Sequence, residues 1–260
     1  FAKASTVTLT RCSATGSISA KTNVGGVVGI VEDEATGNFT MTDCSYTGKT
    51  LVSTGGACGG LVGYLNGNWT IDGCKVETDI TSAANVGGLV GSVVSTGTTS
   101  LVMTDSYYSG ALKATGNYAG GAVGRVNANC KNLLLSGVYT TGTLNLVTYA
   151  GGVVGAAMCS NTQKIEKCWS SATINATGQH VGGIVGAVTT ALTIENCYTS
   201  GEVYAKGQLC GGIVGRAAAS VTVQNCYSTA KVTSATSDNL TIFSSVVEIM
   251  MFLMSLIFDT

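Results

Sequence analysis

Hydrophobic and polar positions alternate along short segments that recur through the whole chain. In Thr193–Tyr198 and Thr222–Tyr227, β-branched or polar residues alternate with aliphatic residues just before a cysteine. This period of two is typical of a strand with one buried face. No segment of the first seven repeats carries a 3.6-residue apolar period long enough for a helix. The pattern therefore predicts an all-β chain.

Alignment of the repeats on this cysteine gives columns of similar residues. The cysteine column reads Cys12, Cys44, Cys74, Ser106, Val138, Cys168, Cys197 and Cys226. The column three residues earlier reads Leu9, Met41, Ile71, Met103, Leu135, Ile165, Ile194 and Val223. The column six residues later reads Ile18, Thr50, Ile80, Leu112, Leu144, Ile174, Val203 and Val232. These columns predict strands whose inward side chains stack from one repeat to the next.

A second phrase, Gly-Gly-x-Val-Gly, follows each cysteine segment except the last. Its copies begin at Gly25, Gly59, Gly87, Gly120, Gly151, Gly182 and Gly211. A nearly constant step between copies indicates a repeat architecture. One such repeat cannot bury enough apolar surface to fold alone, so the repeats must share core and backbone hydrogen bonds with their neighbours. We predict a β-solenoid of about eight coils, with three short strands per coil, over residues 1–235.

The last 25 residues, 236–260, break the repeat. Residues 240–258 are strongly apolar and approach the length of a membrane span, although Glu248 lies among them. Three interpretations stay open: a cap on the end of the solenoid, a membrane anchor, and a segment that does not belong to the fold. Phe1 begins almost inside the first repeat, so we expect the chain to be a fragment whose export signal and N-terminal cap lie upstream or were removed.

Composition narrows the classes of partner. Charged residues make up 10% of the chain and the net charge is −1, so no basic patch for nucleic acid is expected. The remaining polar surface consists of Ser, Thr, Asn and Gly, which suits a secreted or cell-surface protein. We expect membrane contact only through the C-terminal segment, if at all.

The cysteines and the single histidine favour structural roles. Stacked cysteines in one column predict buried free thiols, because parallel side chains do not have good bridging geometry. Cys130 and Cys159 lie in loops of adjacent coils. For this pair both alternatives, a disulfide bond and two free thiols, stay open. His180 is predicted to be a surface residue. We expect no catalytic residues, no cofactor site and no metal site, and the chain is predicted not to be an enzyme.

Aromatic residues just after the cysteine form an irregular stripe that could contact a glycan or a protein, or could pack across coils. The candidate ligand contacts are Tyr107, Tyr108, Tyr139, Trp169, Tyr198 and Tyr227. A glycosidase-like carboxylate pair is the enzymatic alternative. Its candidates are the neighbours Asp72 and Asp105, and the neighbours Glu166 and Glu195, although solvated surface charges are the simpler interpretation.

The two phrases together, as in Asn196–Gly201 followed by Gly211–Gly215, resemble the GLUG motif repeat. The resemblance extends from Ala4 to about Val232, and coils four and five depart from it at Ser106 and Val138. It implies a right-handed parallel β-helix from a bacterial surface or secreted, adhesin-like protein. The predicted function is a non-enzymatic stalk with an adhesion or ligand-binding surface for a host or neighbouring-cell glycan or protein. The alternatives are a polysaccharide-acting β-helix enzyme and a spacer module of a larger secreted protease.

Overall fold

The computed structural model describes residues 6–31, 37–93 and 99–236. Within these ranges every regular element is a β-strand, and every strand pair is parallel. Like strands of successive coils stack into four sheets, so the predicted all-β solenoid is confirmed. Seven coils contribute to all four sheets, and an eighth contributes to the first two.

The leading sheet contains the strand that precedes the cysteine in each of eight coils. Its strands are Thr6–Thr10, Asn38–Thr42, Asn68–Asp72, Ser100–Thr104, Asn132–Ser136, Thr162–Glu166, Leu192–Glu195 and Val221–Gln224.

The long sheet follows the cysteine and contains 14 strands, because most coils enter it twice. The strands that begin directly after the cysteine are Ser13–Ala14, Ser45–Tyr46, Lys75–Glu77, Tyr107–Ala114, Tyr139–Leu146, Trp169–Ser170, Tyr198–Thr199 and Tyr227–Ser228. The second strands are Ser17–Ala20, Thr50–Ser53, Asp79–Ser82, Thr173–Ala176, Glu202–Ala205 and Lys231–Ser234.

The Gly-Gly phrase occupies two short sheets with a turn between them. The third sheet contains Val24–Gly25, Cys58–Gly59, Val86–Gly87, Ala119–Gly120, Ala150–Gly151, Val181–Gly182 and Cys210–Gly211. The fourth contains Val28–Ile30, Val62–Leu65, Val90–Val93, Val123–Val126, Val154–Ala157, Val185–Val188 and Val214–Ala217.

The register confirms the column three residues before the cysteine, in which Leu9 pairs with Met41 and so on to Val223. One assignment in the later column is wrong. Leu51, not Thr50, pairs with Ile18 and Ile80. Coil two has one more residue in the turn after its cysteine, so the inward position falls one residue later. Thr50 is exposed, whereas Leu51 is fully buried.

The residue before the cysteine forms the corner between the leading sheet and the long sheet, and it adopts a positive φ in every coil. This bend column consists of Arg11, Asp43, Gly73, Asp105, Gly137, Lys167, Asn196 and Asn225. A left-handed backbone costs most L-residues about 1–2 kcal/mol, and Gly, Asn and Asp tolerate it best. Six of the eight residues in the column belong to those three types.

The second glycine of the Gly-Gly pair is required by close packing against the next coil in the first six copies of the phrase. A Cβ atom on Gly152 would lie 2.0 Å from the carbonyl oxygen of Gly183 and 2.6 Å from Ser170 Oγ. Neither distance is compatible with a side chain, so this position accepts only glycine. The same close approach recurs in neighbouring coils and explains why the phrase repeats so strictly.

The apolar segment 240–258 lies outside the described residues. Among the residues that are described, no helix has the length and apolar character that crossing a membrane requires. The right-handed sense of the winding stays a prediction, one that agrees with the strong preference of parallel crossovers.

Candidate functional site

At the bend column the backbone hydrogen bonds reverse their direction along the rod. The residue before the cysteine donates its N–H to the following coil, as Asp43 does to the carbonyl oxygen of Asp72 at 2.9 Å. The residue after the cysteine donates to the preceding coil, as Ser45 does to Cys12 at 2.9 Å. The N–H of the cysteine itself lies between these two directions and needs a different acceptor.

That acceptor is the side chain of the same column in the next coil. The N–H of Cys44 donates to Cys74 Sγ at 3.3 Å, and the N–H of Cys74 donates to Ser106 Oγ at 3.0 Å. Each thiol in turn donates to the carbonyl two residues earlier, as Cys74 Sγ does to Asp72 at 3.3 Å. The column therefore favours a small side chain that accepts a hydrogen bond, which explains serine at one position. Val138 carries no such acceptor.

The prediction that these cysteines are free thiols is confirmed, and all but Cys12 are buried. Burial raises the pKa of Cys74 to about 12 and that of Cys210 to about 11. Such thiols stay protonated near neutral pH and are poor nucleophiles.

Cys130 and Cys159 are also free thiols, and both are fully buried. Cys159 Sγ lies 2.8 Å from the carbonyl oxygen of Cys130. The hydrogen bond between the two thiols raises the pKa of Cys130. These side chains pack where the fourth sheet leads into the leading sheet, away from the outer surface.

His180 was predicted to be a surface residue, and this prediction is wrong. It exposes 6% of its surface and belongs to a short ring row with Tyr118 and Tyr149. Successive rings are 4.8 Å apart. His180 Nδ1 and Arg125 Nε are buried polar atoms that lack a hydrogen-bond partner. Burial, together with the positive charge of Arg216, lowers the pKa of His180.

Five of the six predicted ligand-contact aromatics form a continuous stack, here called the aromatic ladder. Its ring centroids are separated by 4.8, 4.5, 5.6 and 5.2 Å, with interplanar angles of 8° or less. The members are Tyr107, Tyr139, Trp169, Tyr198 and Tyr227. Neighbouring rings therefore cover one another's faces, and the inner members present their edges outward. Their use as ligand contacts stays a prediction, now limited to ring edges and to Tyr227, which is 46% exposed.

Tyr108 does not belong to this surface. Its side chain is fully buried, and its hydroxyl donates to the carbonyl oxygen of Thr78 at 3.1 Å. Successive residues of a strand point to opposite faces, so Tyr107 points outward and Tyr108 points inward. The outer member, Tyr107, donates its hydroxyl to Glu77 Oε1 at 2.5 Å. This hydrogen bond and the charge of Glu77 raise the pKa of Tyr107 to about 12.

The two predicted carboxylate pairs have different outcomes. Asp72 pairs with Thr104, and Asp105 lies in the bend column, so these two aspartates are not register partners. Asp72 lies two residues before the cysteine column and Asp105 lies one residue before it. This difference places the two side chains on different parts of the coil. Glu166 and Glu195 are register partners, as predicted.

Lys164 forms ion pairs with both members of the glutamate pair. Its Nζ lies 2.5 Å from Glu166 Oε2 and 3.4 Å from Glu195 Oε2. The hydrogen bond from Lys164 lowers the pKa of Glu166. Within the described ranges, no three His, Cys, Asp or Glu side chains form a cluster suited to a metal ion.

A groove of about 380 Å³ runs along the second half of the long sheet, and the sequence patterns did not reveal it. It is here called the amide groove. Its outward residues, seven positions after the cysteine column, are Lys113, Asn145, Asn175 and Tyr204. Thr115, Val147, Thr177 and Lys206 line one side. The sequence feature that could have located this groove is the recurrence of asparagine, as Asn145 and Asn175, at the same outward column of two adjacent coils.

Comparison with known proteins finds one relevant relative. Halomucin from Haloquadratum walsbyi is 34% identical to this chain over 124 residues. The match covers 45% of this chain and 1% of the relative, so the chain corresponds to a very small part of that protein. No family model matches the chain, and no solved structure matches it significantly.

Proposed function

We propose that this chain is a non-enzymatic repeat module of a cell-surface or secreted protein, serving as a stiff stalk that carries a ligand-binding surface. The observation that supports the stalk most directly is the continuity of contacts from coil to coil. Backbone pairing, the cysteine column and the aromatic ladder each run along the rod axis. Eight stacked strands at ~4.8 Å spacing give a rod of roughly 34 Å.

The surface assignment has two further supports. The paired phrases resemble the GLUG repeat of adhesin-like surface proteins, and we propose that the chain is a repeat region of this kind. The relative's printed name is that of a mucin, which fits a surface or secreted context. Because the match covers 1% of that relative, its function is a guide to context and not to a specific activity.

The non-enzymatic part of the proposal is supported by the chemistry of the glutamate pair. A glycosidase acid requires a raised pKa so that it remains protonated near neutral pH. The pKa of Glu166 is lowered, and Lys164 is shared between Glu166 and Glu195. An ion-paired patch on the solenoid wall explains this arrangement without catalysis. The polysaccharide-acting enzyme stays the alternative.

Stretching the chain between its two ends tests the stalk. Coils that share core and hydrogen bonds should resist force and then extend in discrete steps. One coil of about 30 residues releases roughly 100 Å of chain. Smooth extension at the low force typical of a flexible linker would contradict the proposal. Assays for hydrolase or lyase activity on polysaccharides, with Glu166→Gln and Glu195→Gln as variants, test the enzymatic alternative. Activity lost in both variants would favour that alternative.

A further inference from the structure

The amide groove differs from the rest of the outer surface because its side chains leave hydrogen-bonding groups and a ring face free to contact a ligand. Lys113, Asn145, Asn175 and Tyr204 are register partners in four successive coils. One strand spacing per coil places them along roughly 14 Å of the rod. All four side chains are exposed, so an elongated ligand lying parallel to the rod axis can reach each of them.

The two asparagines supply directional hydrogen bonds at the middle of the groove. Asn175 Nδ2 donates to Asn145 Oδ1 at 3.4 Å, which aligns the two amides. Each amide has two N–H donors and an oxygen that accepts twice. Three N–H donors therefore remain for a ligand, and each oxygen keeps accepting capacity. Mixed donors and acceptors at strand spacing suit a chain of sugar hydroxyls.

Tyr204 supplies an apolar surface at one end of the groove. It is 39% exposed and belongs to neither the aromatic ladder nor the short ring row. Its ring is thus available to an apolar sugar face, unlike the ring faces within the ladder.

The charge of the groove favours an anionic ligand. Lys113 lies at one end, Lys206 lies near Tyr204 at the other, and no acidic side chain lines the space between them. Elsewhere on the wall, Lys164 is already paired with two glutamates. A nucleic acid would require a longer run of basic residues than these two lysines provide.

We propose that the amide groove binds a short segment of an acidic polysaccharide, with its carboxylate or sulfate groups at the lysines and its hydroxyls at the asparagines. This inference rests on the proposed function, because it names the ligand class of the proposed binding surface. The sugar ring nearest coil seven stacks on Tyr204. The chain then follows the rod axis toward Lys113.

Calorimetric titration of the full chain with a tetrasaccharide of galacturonic acid tests the proposal. We expect binding that weakens with added salt, and binding at least about tenfold weaker for the methyl-esterified tetrasaccharide, which lacks the charges. Poly-glutamate serves as a non-sugar anion. Equal binding of poly-glutamate would contradict the sugar assignment, and absence of binding to the acidic tetrasaccharide would overturn the proposal.

Asn175→Asp places a negative charge in the groove and should reduce affinity about tenfold or more. Its matched control is Asn68→Asp, because Asn68 Nδ2 donates to Asn38 Oδ1 at 3.3 Å in an equivalent amide pair on the leading sheet. Equal effects of the two variants would contradict the groove. Tyr204→Ala should also lower the affinity, and Tyr204→Phe should restore it by retaining the ring. If binding fails while the stepwise extension under force persists, the groove proposal fails alone and the stalk remains.

Discussion

The aromatic ladder and the amide groove lie on the same outward face of the long sheet, one and seven positions after the cysteine column. Both obey the same register rule, which stacks equivalent residues of successive coils directly against one another. In the ladder, flat rings with centroids 4.5–5.6 Å apart stack face to face, so each ring covers the face of its neighbour. In the groove, a lysine, two asparagines and a tyrosine differ in shape and charge. The difference teaches that a uniform column stabilises the rod, whereas a mixed column leaves contacts available for a ligand.

The largest expected effect comes from removing the central ring of the ladder. Trp169 stacks on both Tyr139 and Tyr198, so Trp169→Ala loses two ring contacts and partly buried apolar area. We expect the free energy of unfolding to fall by about 2–3 kcal/mol. Tyr204→Ala in the groove should cost about 0.5 kcal/mol or less, as surface substitutions commonly do.

Urea denaturation of both variants measures this difference. Trp169→Tyr retains a ring and should recover most of the lost stability. Equal losses of stability for Trp169→Ala and Tyr204→Ala would contradict the distinction between a closed column, whose side chains stack on one another, and an open column, whose side chains are free to contact a ligand.

The short ring row gives a second closed column, and its member His180 makes it sensitive to acid. Burial and Arg216 hold the folded pKa of His180 below its ordinary value of about 6.5. The stability that the neutral ring contributes is therefore present above pH 6.5 and is lost as the pH falls toward the folded pKa. We expect the urea midpoint to decrease between pH 7.5 and pH 5.

His180→Phe retains a stacked ring without a titratable group. The part of the pH dependence that is due to His180 should disappear in this variant. An unchanged decrease in the variant would assign the effect to other groups, such as the ion-paired glutamates.

Titration of Tyr107, the first ring of the ladder, tests whether its hydroxyl donates a hydrogen bond to Glu77. Its folded pKa is raised to about 12 by the hydrogen bond to Glu77. The associated stability is complete below pH 10 and is lost as the pH rises from about 10 to 12. Glu77→Gln removes the negative charge and should move the phenol titration toward 10. Ultraviolet absorbance of the phenolate measures the shift, and an unchanged titration would contradict the hydrogen bond.

The smallest expected effect comes from extending the ladder by one coil. Lys75 is the register partner of Tyr107 and is exposed, so Lys75→Tyr places a new ring against the existing stack. One more stacked pair should raise stability by about 0.5–1 kcal/mol. Ser45→Tyr is the matched control, since its ring would face Lys75 and gain no aromatic partner. Equal gains from both variants would show that stacking is not the cause.

Several features of the fold could be read from the chain because they repeat. Apolar residues at a period of two identify strands, and equal spacing places like strands in register. The bend column is visible in sequence as a column that consists mainly of Gly, Asn and Asp, the residue types that best tolerate a positive φ. The errors came from single-residue offsets. The extra turn residue before Thr50 and the one-residue difference between Asp72 and Asp105 each moved a side chain to another part of the coil.

The candidate site was harder to predict than the fold. Parity along one strand separates Tyr107 from Tyr108, but only the register shows that five rings from five coils form one stack. The amide groove depends on residues about 30 positions apart whose proximity exists only after stacking. His180 likewise became buried because rings of two preceding coils continue into it.

By itself the sequence determined the class of fold, the number of coils and the inward columns, because those properties follow from a local pattern repeated at a nearly constant step. Only the tertiary structure showed in which outward columns the side chains stack on one another and in which they remain free to contact a ligand. It also showed that most side chains of the cysteine column accept a hydrogen bond from the backbone of the preceding coil. These properties depend on distances and directions between coils, and a linear pattern carries no direct measure of either.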